Sequence, residues 1–291
     1  MEEKSMECFS LPEGCIASIL SRTTPIDTCK LSLVSTTFYS ASLSDSVWNT
    51  FLPNDYTNII SRSLSHTSLF SNSSSKKSIF QALSKRPIMI DNSTKSFQLD
   101  RKSGKKCYML GARALTIVWG DTDYYWRWIN KPESRFPEVA ELCNVCWLEI
   151  HGVLNTNALS PNTHYAAYLV FKVIDNARGF REYPVELSID TFGGHNSKKN
   201  VCLTPNAETL PGYYDEEWIM EMDEMEMHER MQGLPLPNVR SDGWLEIEMG
   251  NFFSSGLEDE EVQLSVMEIN GGNWKSGLII EGIEVRPKDA N

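Results

Sequence analysis

Residues 145–154 read Val-Cys-Trp-Leu-Glu-Ile-His-Gly-Val-Leu. In an extended chain Trp147, Glu149 and His151 fall on one face and Cys146, Leu148 and Ile150 on the other, one mixed and one apolar, as a half-solvated antiparallel strand requires. Apolar or alternating runs of the same kind recur at Leu115–Trp119, Tyr165–Ile174, Val185–Ile189, Trp244–Met249, Val262–Ile269 and Leu278–Val285, with turn residues between them. No helix-length period interleaves them. Residues 87–291 are therefore expected to form an all-β antiparallel sandwich or barrel rather than a parallel α/β sheet.

Toward the N-terminus the period changes. Ile16, Ile19 and Leu20 stand at i, i+3 and i+4, one helical face. Thr24 before Pro25, with Asp27 three residues on, has the spacing of a capped helix start, and Leu31, Val34 and Phe38 continue an apolar stripe for two turns. Ser44 is placed to cap a third helix presenting Val47, Trp48, Phe51 and Leu52, which Pro53 ends. Residues 1–54 thus read as three short helices, and the chain as a multidomain α+β protein. A unit of that size buries little surface, and it has no metal or disulfide pattern to staple it. Its stripe is expected to complete its burial against another protein or against the rest of the chain, and periodicity does not choose between the two.

Residues 55–86 read as a basic linker with room for a short helix, since Ser61–Ser78 holds nine serines in eighteen residues. Formal charge divides as -3 over residues 1–54, +7 over 55–106 and -16 over 107–291, in a total of -12. A field of that sign repels phosphate backbones, so the C-terminal part is not expected to bind nucleic acid. No apolar run approaches the roughly 18 to 20 residues that cross a bilayer, and the first residues lack the basic and apolar regions of a signal peptide, so no membrane partner is expected. The seven cysteines are odd in number and dispersed, which favours free thiols in a reducing compartment, cytoplasm or nucleus.

The search for catalytic chemistry returns little. Phosphate loops, nucleophile elbows and zinc-protease helices are absent from the sequence. Cys143, Cys146 and His151 have the start of a zinc-knuckle spacing, but Thr156 stands where the fourth ligand belongs, so neither metal nor cofactor is expected. No enzyme activity is read from the sequence. Aromatic residues are more informative: Trp119, Tyr124, Tyr125, Trp126 and Trp128 lie close together beside Asp121 and Asp123. Flat rings next to carboxylates suit a sugar, whose C–H face stacks while its hydroxyls donate, and the same rings equally suit a core. Glu268 shares strand parity with Val262, Leu264 and Val266, so a carboxylate on an apolar face needs a partner or a wet cleft. Asp215–Arg230 carries eight carboxylates in sixteen residues, the composition of a solvated loop, a short helix or a protein contact.

Two resemblances sharpen this. The stretch SLPEGCIASILSRTTPIDTCKLSLVSTTFYSASLSDSVWNTFLPNDY resembles an F-box, with Leu11, Pro12, Ile16, Ile19, Leu20, Pro25, Asp27, Leu31, Val34, Phe38 and Trp48 carrying the pattern. The resemblance implies that this unit binds a Skp-type adaptor and, through it, the cullin of an SCF ubiquitin ligase. The segments KCYMLGARALTIVWGDTDYYWRW, EVAELCNVCWLEIHG, HYAAYLVFKVID, RSDGWLEIEMGNFF and VMEINGGNWKSGLIIEGIEVRP are similar to the phloem lectins, including the Nictaba-like group. That similarity implies a jelly-roll sandwich recognising glycans that contain N-acetylglucosamine, with Trp119, Trp126, Glu261 and Glu268 at the sugar-site positions. Together they imply a substrate receptor of a ubiquitin ligase, a lectin without a ligase role being the alternative.

Overall fold

The computed structural model describes residues 11–63, 75–191, 194, 196–204, 229–257 and 260–288. The serines between 64 and 74, His66, His195, His228 and the acidic stretch up to residue 228 lie outside the described residues. The chain divides into two compact units, Met1–Ile88 with Gln98–Lys105, and Met89–Phe97 with Lys106–Asn291.

The first unit is helical: α1 (Glu13–Leu20), α2 (Pro25–Leu31), α3 (Thr36–Ala41), α4 (Asp45–Phe51), α5 (Tyr56–Ser61) and α6 (Lys76–Lys85). Thr24 caps α2, its Oγ1 accepting from the Asp27 amide at 3.2 Å and donating to Asp27 Oδ2 at 2.7 Å. The expected continuous stripe from Pro25 to Phe38 is broken, because Ser35 caps a separate helix, accepting from the Phe38 amide at 3.3 Å. Two short helices therefore replace one long one, and the expected three helices become four by Phe51. The centre of the unit is Trp48, whose Nε1 donates to the Ser42 carbonyl at 2.6 Å and whose ring lies 5.7 Å from Phe51 and 5.2 Å from Phe80.

Phe80 sits on α6, inside the stretch expected to be linker. That stretch, expected to have room for one short helix, holds two among its described residues: α5 buries Ile59 and Ile60, and α6, capped by Ser75, buries Ile79, Phe80 and Leu83. The Lys76 amide also donates to Asp45 Oδ1 at 2.8 Å, fastening the start of α6 to the start of α4.

The second unit is built from antiparallel sheets, as the alternation requires. Its strands are β1 (Ile88–Ile90), β2 (Lys95–Leu99), β3 (Lys106–Gly111), β4 (Thr116–Ile117), β5 (Trp126–Ile129), β6 (Val139–Leu142), β7 (Leu148–Asn155), β8 (Thr163–Arg178), β9 (Val185–Thr191), β10 (Asn196–Val201), β11 (Asn238–Val239), β12 (Leu245–Ser254), β13 (Glu261–Glu268) and β14 (Ser276–Pro287). One sheet runs β1-β2-β3-β14-β8-β12-β11 with β6 and β5 branching from β14, and the other runs β10-β9-β13-β7-β4. The inner faces meet where a Cβ on Gly152 of β7 would touch Leu110 and Ile283 of the larger sheet. Leu148, Ile150, Val262, Leu264, Val266, Leu169, Phe171 and Ile283 are all buried.

The opposite face of the larger sheet is also covered. Met109, Val139, Val170 and Ile279 pack under Phe136 and Trp244, a second apolar layer. Beside it lies a ladder of charges on β12 and β14. Arg240 Nη1 lies 2.7 Å from both Glu246 Oε2 and Glu284 Oε2, Arg286 Nη2 is 2.7 Å from Glu246 Oε1, and Arg135 Nη1 is 3.1 Å from Glu284 Oε1. Burial opposes the charged form of Glu284, but Arg135, Arg240 and Arg286 overcome it and hold its carboxyl at about 2.

Two measurements check these assignments. Phe80→Ala should destabilise the helical unit by about 3 to 5 kcal/mol, the usual cost of truncating an enclosed ring, read as loss of helical ellipticity at lower temperature. Because the folded Glu284 carboxyl is held below its unfolded value of about 4.3, its contribution is complete above that pH and drains as the pH falls toward 2. Acid titration of the wild type should show that loss; Glu284→Gln should be less stable at pH 7, with the difference shrinking in acid.

Candidate functional site

Of the four sugar-site positions that the resemblance implies, the two glutamates stand far apart. Glu261 and Glu268 are the two ends of β13, which at roughly 3.3 Å per residue puts them about 23 Å apart. Glu261 is exposed and pairs with Asn155, beside a groove of about 380 Å³ lined by His164, Thr191, Asn251, Phe253 and Glu260. Glu268 pairs with Leu148 at the other end. It is buried, forms an ion pair with the fully buried Lys275, and its Oε1 accepts from the Gly271 amide at 2.8 Å. The parity argument that singled it out thus finds its partner in an ammonium. Trp126, which the resemblance places in the sugar site, opens β5 opposite Leu142 and is 1% exposed, its ring enclosed by protein.

Trp119 is different. The expected strand Leu115–Trp119 shrinks to Thr116–Ile117 because the chain turns, the Gly120 amide donating to the Ile117 carbonyl at 2.9 Å. Within that turn Trp119 adopts φ 58°, the left-handed region that a bulky side chain rarely enters. Its ring is 43% exposed, lies 5.1 Å from Tyr125, and Tyr125 lies 5.2 Å from Tyr124. The Tyr125 carbonyl accepts from the Cys143 amide at 2.9 Å, which joins this turn to the loop leading into β7. The same end carries two exposed rings that sequence reasoning missed, Trp147 and Trp274. The alternation over 145–154 places Trp147 in a strand, but β7 begins only at Leu148, so Trp147 belongs to the loop. Trp274 stood alone in a Gly-Asn segment and gave no pattern.

The polar groups here are engaged with one another. Trp147 Nε1 donates to Glu149 Oε2 at 2.5 Å, His151 Nε2 lies 2.7 Å from Glu149 Oε1, and His151 Nδ1 lies 2.9 Å from Ser265 Oγ. Those bonds from His151 and Trp147 hold the Glu149 carboxyl below the usual carboxylate range. Burial pushes the Cys143 thiol up, Arg127 opposing it and Glu141 and Asp123 adding to it. Among the described residues no group of His, Cys, Asp and Glu is arranged to hold a metal ion. What this end of the sandwich presents is the exposed rings Trp119 and Tyr124, joined through Tyr125 and close in sequence to the exposed carboxylates Asp121 and Asp123, and the exposed rings Trp147 and Trp274 on the two loops that pair at Val145 and Lys275.

On the helical unit, the adaptor positions split in two. Ile16, Leu20, Pro25 and Trp48 are buried in the unit itself, Leu31 and Phe38 are half-buried, and Leu11, Pro12, Ile19 and Val34 are exposed. Leu33, Ile26, Tyr39 and Leu43, which the stripe did not include, are exposed as well. A shallow groove of about 400 Å³ lined by Glu13, Gly14, Ala17, Ser18, Ser44 and Ser46 lies beside them.

A family model for phloem protein 2 matches residues 105–287, and one for the F-box domain matches residues 8–50. The chain belongs to the phloem protein 2 family. In Arabidopsis thaliana, F-box protein PP2-B1 is 39% identical over 97% of this chain and 90% of its own length, and F-box protein PP2-B10 is 40% identical over 99% and 96%. This phloem protein 2 chain therefore joins an N-terminal F-box to a lectin-like antiparallel domain. A family 35 carbohydrate-binding module from Clostridium thermocellum aligns with 62% of it at 10% identity and a TM-score of 0.32, a likeness too weak to bear on its ligand. Among the described residues no helix is long and apolar enough to cross a membrane.

The two tryptophans should separate under mutation. Trp126→Ala, which empties an enclosed site, should cost about 3 to 5 kcal/mol of stability, whereas Trp119→Ala, which removes an exposed ring and keeps the Cβ that its left-handed φ crowds, should leave the melting temperature nearly unchanged. Thermal unfolding of both variants, followed by near-ultraviolet circular dichroism, checks this.

Proposed function

We propose that the chain is the substrate-receptor subunit of an SCF-type ubiquitin ligase, its F-box holding a Skp-type adaptor and, through it, a cullin. The observation that carries the reading is the exposed apolar set on a small helical unit: Leu11, Ile19, Leu33 and Val34, the last two 86% and 66% exposed, stand next to a core completed by Trp48 and Phe80. Residues that face water while the same helices bury Ile16 and Leu20 suit an interface rather than a core. The protein performs no bond chemistry in this reading. It raises the effective concentration of target lysines near a ubiquitin-charged enzyme, in the cytoplasm or nucleus where free thiols persist.

The target would dock on the sandwich. The exposed rings Trp119, Tyr124, Trp147 and Trp274, with Asp121 and Asp123, suit the C–H face and hydroxyls of a glycan bearing N-acetylglucosamine. A target recognised through its sugars fits this end better than one recognised through a cleft, because the rings form an open platform.

Adaptor binding is the decisive measurement. Leu11→Ala with Pro12→Ala, Ile19→Asp and Val34→Asp should each weaken co-purification with a Skp-type adaptor by about 2 to 4 kcal/mol while leaving the melting temperature of the full chain in place, because those side chains are exposed in the free protein. Full-strength adaptor binding by all three variants would remove the receptor reading and leave a lectin without a ligase role.

A further inference from the structure

Lys275 is the most deeply enclosed charge on the chain's aromatic end: it is 0% exposed, and an ammonium that far from water survives only if its donors are used. Its Nζ donates to the Cys146 carbonyl at 3.0 Å and to the Asn273 carbonyl at 2.9 Å, and it forms an ion pair with Glu268 Oε2. Cys146 is the residue before Trp147, and Asn273 is the residue before Trp274. One ammonium therefore grips the backbone immediately ahead of both exposed tryptophans.

The grip is reinforced on each side. Val145 and Lys275 exchange both backbone hydrogen bonds, at 2.9 and 2.7 Å, so the two loops are paired at that point. Asn273 Nδ2 donates to the Gly179 carbonyl at 3.0 Å. A Cβ on Gly179, at φ +80°, would strike the Trp274 carbonyl and the Lys275 stem, so only glycine lets that third loop close over the ammonium. Glu268, at the end of β13, anchors the arrangement to the sheet and also accepts from the Gly271 amide at 2.8 Å.

We infer that Lys275, held by Glu268, is the positioning residue of the recognition end: it fixes Trp147 and Trp274 as ligand-contacting rings, and Glu268 acts through Lys275 rather than by touching ligand. The inference rests on the target-docking reading of that end. It assigns two contact residues that the family resemblance did not name and moves Glu268 out of the contact set. An apolar side chain at position 275 could fill the same volume but would take the ammonium away from two carbonyls and leave the buried Glu268 carboxylate without its counter-charge, held by the Gly271 amide, and the loops free to separate.

The test uses the full chain labelled with 5-fluorotryptophan and followed by fluorine NMR, the Trp147 and Trp274 signals being assigned with Trp147→Phe and Trp274→Phe. In Lys275→Met both signals should shift and broaden while those of Trp48 in the helical unit and Trp244 on the far side of the larger sheet stay in place. Affinity for the N-acetylglucosamine trimer, by calorimetry, should fall by at least ~10-fold. If Lys275→Met unfolds, so that the Trp244 signal moves too, Glu268→Gln takes its place; it keeps an acceptor for the Gly271 amide and should displace the same two signals. Unmoved Trp147 and Trp274 signals in a folded variant overturn the inference. So does unchanged trimer affinity where the wild type binds. Displaced signals with no trimer binding by the wild type uphold the positioning role and remove the glycan reading, so the two failures are told apart.

Discussion

Everything in the sandwich depends on the pairing of β14 with β8. These are the two longest strands, they register from Pro287 against Tyr165 to Ser276 against Arg178, and β14 also serves β3 and β6. The pairing is not a uniform ladder: its register shifts between Ile280 and Gly282, where a Cβ on Gly282 would collide with the Leu110 carbonyl of β3. One glycine therefore lets three strands share a single spine. Strands that carry a core on one face and a charge ladder on the other need both faces satisfied at once. The inner residues Ile283 and Val285 are buried, and the alternate residues Glu284 and Arg286 are held by Glu246, Arg240 and Arg135.

The alternation made the sheet class legible, since period two survives in any single strand with one apolar face. β7, β9, β12, β13 and β14 all fall on runs whose alternation is visible in the sequence. The pieces that escaped are short or composition-masked. β5 and β6 span four residues each, too few for periodicity to register, and β10 reads Asn-Ser-Lys-Lys-Asn-Val, with no apolar face to announce it. On either side of the serine-rich tract the composition understated the helix content. Serine content reports solvation on average, but Ile59, Ile60, Ile79, Phe80 and Leu83 are spaced to bury one side of two helices, while Ser61 and Ser78 face water and Ser75 caps α6.

The candidate site was legible as composition and illegible as geometry. A cluster of rings between Trp119 and Trp128 is obvious in the sequence, but which ring is exposed depends on a turn: the positive φ at Trp119 swings that ring outward, while Trp126, the first residue of a strand, is carried inward. Strand parity correctly flagged Glu268 as an anomaly on an apolar face. It could not say that the balancing charge would come from Lys275, seven residues on, because that contact is made within the loop between β13 and β14, which a bridge between Val145 and Lys275 joins to a segment 130 residues away. Trp147 and Trp274 gain meaning only through that bridge.

A buried Lys–Glu pair is a poor way to stabilise a fold, since apolar residues of the same volume serve about as well or better. Its advantage is direction. Apolar contacts hold two loops close without fixing their angle, whereas an ammonium needs each acceptor along a donor axis, and here the acceptors are the Cys146 and Asn273 carbonyls and the Glu268 carboxylate. The loops of an antiparallel sandwich are where sequence tolerates change, and a binding platform made of loops is vague unless something rigid sets it. The Lys275 ammonium supplies that rigidity from inside, out of reach of solvent and salt, and leaves the exposed rings free to be specified by target rather than by packing.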